Sequence, residues 1–141
     1  MQAGRVPGEM PCVFKPALMA QTVSCDMLAR RSVAEREVMM CRQVTAHMNC
    51  ETLERLILER STFPLRLKPG APLTHAMVMR LHAGGLQGLQ TVLSAPQAEV
   101  HGMVQQAQSD YGGLAALPWA RIVEQVMAWQ PRRRGPGKTR P

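Results

Sequence analysis

Aromatic side chains are almost missing from this sequence. Two Phe, two Trp and one Tyr are all that its 141 residues hold, so a core here must be built from aliphatic and thioether groups. Eleven methionines supply much of that material; they fill irregular space well but specify a packing weakly. A core so thin in large anchors gains from association, and a homodimer is predicted. Long apolar runs are missing too. None approaches the ~20 residues needed to cross a bilayer. Residues 1–10 also lack the apolar centre of a secretion signal. A soluble cytoplasmic protein with no membrane partner is therefore expected, its cysteines free thiols in a reducing compartment.

The usual site motifs are missing as well. Cys12, Cys25, Cys41 and Cys50 lie 13, 16 and 9 residues apart, with no CxxC or HxxxH pair, so no zinc site or other metal or cofactor is predicted. His75 and His82 are seven apart and have no third ligand nearby in sequence. His101, Ser109 and Asp110 hold the atoms of a catalytic triad without its spacing, and no nucleophile elbow occurs. The chain does not read as an enzyme.

What is present is positive charge, unevenly placed. The net charge is +7. Residues 132–140 carry Arg132, Arg133, Arg134, Lys138 and Arg140, and residues 27–68 carry eight basic against five acidic groups. Fourteen of the seventeen basic residues are Arg, whose planar fork suits phosphates and guanine edges.

Residues 1–21 hold several Pro and Gly and read as a flexible segment. Residues 22–31 contain Thr22, Val23, Cys25 and Leu28 and read as a strand. Ser32 and Glu35 then make an S-x-x-E capping box, and Val33, Met40, Val44 and His47 recur on one face of a predicted helix. His47-Met48-Asn49 breaks it. Asn49 caps a second helix lined by Leu53, Leu56 and Ile57, with Glu51 and Arg55 paired on its solvent side. Residues 63–73 form a Pro-rich linker. In the helical region 74–130, Thr74 caps a helix and Pro118 opens the last one, with Trp119, Ile122, Val123, Val126 and Trp129 as its apolar set. Between them, GGLQGLQTVL either lets a second backbone approach at Gly85 and Gly88 or breaks the helix there. Residues 131–141 are a basic disordered tail.

The fold class is thus mainly α: a ribbon-helix-helix module at 22–62 followed by a helical C-terminal region. Glu35-Arg36, Met48 and Leu56-Ile57, followed by GGLxxLxxxL, resemble the relaxosome accessory proteins of the MobC/TraJ type over residues 27–95. That resemblance implies a dimer on double-stranded DNA in plasmid or mobile-element transfer, with a relaxase as protein partner. In such a module two chains pair strands into a ribbon that enters the major groove. Either Met27, Ala29 and Arg31 or Leu28 and Arg30 face the bases. Amides from Asn49 onward hold a phosphate. The DNA-binding residues expected are Arg30, Arg31, Asn49, Arg132, Arg133 and Arg134. The alternative is a helical protein–protein adaptor that docks through Met-rich and Gly-Leu faces, its basic tail incidental.

Overall fold

In the computed structural model, which describes residues 10–131, the chain is mainly helical with one small antiparallel sheet. Pro16, whose fixed φ suits a first turn, opens the short helix α1 (Lys15–Met19). Phe14 and Ala17 are buried there. The second half of the segment expected as a flexible arm is therefore core.

Residues 32–47 do not form the helix that the capping box predicts. Strands β1 (Leu28–Val33) and β2 (Arg36–Cys41) pair antiparallel, Leu28 opposite Cys41 and Val33 opposite Arg36. Ser32 lies within β1, and Glu35 with Ala34 forms the hairpin turn. Ala34 and Glu35 take φ of 49° and 70°, the two positive values that a type I′ turn needs. The run Val38-Met39-Met40-Cys41 explains why extension wins. It has no helical period, and a strand covered on both faces can bury such a run; Met39 and Met40, which point to opposite faces, are both buried.

Helix α2 (Val44–Thr62) then runs for 19 residues straight through His47-Met48-Asn49, where a break is predicted. Neither Gly nor Pro stands there, and Asn inside a helix costs only about 0.7 kcal/mol against Ala. His47 is buried, with Nε2 3.0 Å from the Pro11 carbonyl oxygen. A strand–helix–helix order is thus replaced by a hairpin and one helix.

Beyond the Pro-rich 63–73 stretch, Thr74 caps α3 (His75–Met79), its hydroxyl accepting from the Met77 amide at 3.1 Å. A π-helical turn (Arg80–Gly84) continues directly into α4 (Gly85–Leu93), so the glycine pair does not break the rod. Helix α5 (Val100–Tyr111) begins at Glu99 and ends at Gly112, whose φ of 80° suits glycine. Helix α6 (Trp119–Ala128) follows Pro118 and buries four of the five residues predicted for its apolar set, Trp119, Ile122, Val123 and Val126; Trp129 lies just past its end and is half-buried. One hydrophobic cluster joins Phe14, Leu53 and Ile57 to Leu86, Leu89, Met103, Ile122 and Val126, so residues on both sides of the 63–73 stretch share it. Among the described residues, no helix is long and apolar enough to cross a membrane.

The central rod approaches two helices through bare backbone. A Cβ on Gly88 would stand 2.9 Å from the Ile122 carbonyl oxygen, and one on Gly84 would stand 2.9 Å from the Val126 Cα. A Cβ on Gly85 would instead meet the Ile57 side chain at 2.7 Å. A backbone cannot yield, whereas a side-chain tip can rotate. Gly88→Ala is therefore expected to destabilise by about 1–3 kcal/mol. Gly85→Ala, partly offset by the better helix propensity of Ala, should cost less in the same denaturant titration. An equal loss at both sites would contradict the close α4–α6 contact.

The hairpin turn gives a test of opposite sign. Ala34→Asn with Glu35→Gly relieves two left-handed residues and should stabilise by about 1 kcal/mol. Were residues 32–47 helical, the same pair would remove the Glu of the capping box and add a glycine, destabilising by about 1 kcal/mol or more. Thermal or urea unfolding reads the sign directly.

Candidate nucleic-acid interface

A two-stranded ribbon projects charged side chains only where its rungs leave the body. Near the root, Met39 and Met40 are buried; farther out, Arg30, Arg31, Ser32, Glu35, Arg36 and Glu37 are exposed. The outer edge of β2 is partly covered by residues 10–12, through Cys12 N–H to Met39 O at 3.0 Å and Cys41 N–H to Met10 O at 2.8 Å. Six residues of strand reach about 20 Å, and neighbouring strands lie about 4.8 Å apart. With side chains added, that ribbon matches a major groove about 12 Å wide.

Pairing register settles which arginines share a face. Side chains on alternate rungs point the same way, so Arg30 lies with Met39, Ser32 and Glu37, whereas Arg31 lies with Val38 and Arg36. On the first face Arg30 Nη1 donates to Glu37 Oε1 at 3.2 Å, an exposed ion pair. The second face carries Arg31 and Arg36 and no acidic strand residue. Two guanidiniums of the ribbon thus share the Arg31–Arg36 side, with Glu35 in the adjoining turn.

The root is held by backbone and by one carboxylate. Ser24 bridges to Glu99 in parallel, with Ser24 N–H to Ala98 O at 2.9 Å and Val100 N–H to Ser24 O at 2.8 Å. Glu99 Oε2 accepts from the Asp26 amide at 2.7 Å and from the His101 amide at 3.2 Å, while Oε1 accepts from the Gly102 amide at 2.7 Å. One side chain thus caps α5 and fixes the start of the hairpin. Across the root, Arg42 Nη2 donates to Asp26 O at 2.5 Å, and the Arg42 amide donates to Met27 O at 2.9 Å.

The structure brings Arg30 and Arg31 onto one ribbon but separates Asn49 from any helix start. Asn49 lies inside α2, which begins at Val44, so its amides belong to the helix ladder and no phosphate cradle opens there. Arg132, Arg133 and Arg134 lie outside the described residues. Sequence reasoning put Arg36 and Arg42 on a predicted helix, whereas Arg36 begins β2 and Arg42 follows its last residue. The signal that would have found them is the two-residue spacing between LARRSV and REVMMC. No protein-family model, curated protein or solved structure shows significant similarity to this chain.

Glu99→Ala removes an N-cap and a hairpin anchor together. A loss of about 2 kcal/mol is expected from the cap, with faster amide exchange at Asp26. Glu99→Gln, whose amide oxygen still accepts, should recover part of both in hydrogen-exchange measurements.

Proposed function

We propose that this chain binds double-stranded DNA by laying the β1–β2 ribbon into the major groove. The observation that supports this is the Arg31–Arg36 face: two guanidiniums on one side of a groove-sized ribbon, with the acidic strand residue Glu37 on the other. Arginine forks pair with guanine edges and phosphates. The basic block at 132–140 adds sequence-independent attraction to the backbone. A place beside a relaxase in plasmid or mobile-element transfer is carried by the MobC/TraJ-type resemblance.

This reading differs from a ribbon-helix-helix dimer: one helix, α2, follows the ribbon, and it runs through Asn49. Both strands of the ribbon come from one chain, so the groove-entering element is complete without a partner. A homodimer remains part of the proposal as a way to place two ribbons on successive half-sites.

An adaptor role has exposed apolar side chains in its favour: Phe63, at the end of α2, is 91% exposed, and Met19, Met48 and Met127 are exposed as well. The Gly-Leu face that the adaptor reading relies on is occupied within the fold, since Gly84 and Gly88 meet α6 and Leu86 and Leu89 are buried.

Fluorescence anisotropy on duplex DNA at two salt concentrations separates these readings. The full chain should bind at low salt. Arg31→Ala with Arg36→Ala should weaken binding about tenfold and lower the salt slope by nearly two, at roughly 0.9 per phosphate lost. Removing residues 132–141 should weaken binding on all sequences alike, and Arg55→Ala on α2 should leave it unchanged. Failure to bind at low salt, or binding that depends on the tail and ignores the hairpin pair, sinks the proposal and favours the adaptor.

A further inference from the structure

All four cysteines, far apart in sequence, line one small cavity. Cys12 precedes α1, Cys25 precedes β1, Cys41 ends β2, and Cys50 lies on α2 three residues after His47, which lines the same space. Met27 and Met40 add two thioethers to the wall. The cavity holds about 20 Å³, room for one water-sized sphere. Such a set of donors is soft, and thiolate with thioether ligands selects Cu(I).

Burial pushes the Cys12 thiol up to about 11 and the Cys50 thiol up to about 12. Burial raises Cys25 as well, and in all three cases neighbouring thiols add to the rise. Protonated thiols are poor nucleophiles at neutral pH, so uncatalysed oxidation is a poor use for this cluster. A bound metal ion, by contrast, deprotonates its thiol ligands outright.

Among the described residues, no three His, Cys, Asp or Glu side chains already stand as a ligand set. Cys41 Sγ donates to Gln43 O at 3.4 Å, and His47 Nε2 lies against Pro11 O. A tetrahedral ion such as Zn(II) needs four ligands, whereas Cu(I) is satisfied by two sulfurs, and this cavity has four thiols in its wall. We infer that the cavity binds one Cu(I) ion through the thiolates of Cys25 and Cys50, which share its wall, with the methionine sulfurs lining the rest of its surroundings. Binding is a proton exchange: two S–H bonds break, two Cu–S bonds form, and two protons leave to solvent. Copper stays in the +1 state, so no oxidant or reductant takes part.

Anaerobic titration of the full chain against Cu(I) held by bathocuproine disulfonate tests this. The chain should withdraw one ion and release about two protons per ion, read in weak buffer. Cys25→Ser and Cys50→Ser should each weaken retention by about tenfold or more, while Met127→Leu, on the surface, should not. No withdrawal by the wild-type chain, or retention in both cysteine variants as tight as in the wild-type chain, overturns the inference. Should the variants fail to fold, the wild-type chain decides alone. An ion bound without proton release rests on thioethers, and more than one ion per chain means surface binding; either result overturns it.

Discussion

The rest of the structure depends on a helix rod that meets α2 and α6 at three glycines while its leucines enter the core. Gly84 and Gly88 let α6 come within backbone contact of the rod, and Gly85 admits Ile57 of α2 from another direction. With so few aromatic anchors, the chain gains contact by bringing backbones together, and dispersion between close-packed atoms rises steeply with proximity. The position of α2 follows from that approach. The hairpin follows from α2, because β2 leads into it after only Arg42 and Gln43.

Legibility in the sequence tracks how local each decision is. Thr74 as a cap, Pro118 ahead of the last helix, and the apolar set of α6 are settled within a few residues, and all three are readable. The hairpin is not, because its turn uses Ala34 and Glu35 in a conformation that favours Asn and Gly. Ser32 and Glu35 meanwhile mimic a helix start. Asn49 misleads for a related reason: capping residues mark helix starts only statistically, and burial of Ala46, His47 and Leu53 along one face holds α2 together across it. Tertiary contact decides there, and no local pattern reports it.

The same division runs through the candidate site. Arg30 and Arg31 are visible as a basic pair, but which of them shares a face with another arginine depends on pairing register. Register in turn depends on the two-residue turn and on burying Met39 and Met40 at the root. The cysteines are the extreme case. Their spacing shows no motif, because four different parts of the fold deliver them: the approach to α1, the loop before β1, the end of β2 and the second turn of α2. A motif search sees ligands supplied by one loop or helix and is blind to this arrangement.

The root of the ribbon and the thiol cavity are one piece of structure. Met40 and Cys41 line the cavity and also form the rungs opposite Ala29 and Leu28, the two nearest the body. Sulfur atoms drawn together by an ion would pull on those rungs and on the segment leading into β1, where Cys25 and Met27 sit. The distal rungs of the same ribbon carry Arg31 and Arg36. The two proposals therefore meet in a single linkage: if loading the cavity changes how the ribbon stands, DNA must change the affinity for the ion by the same factor. The sign depends on whether the loaded root holds the Arg31–Arg36 face toward or away from the groove.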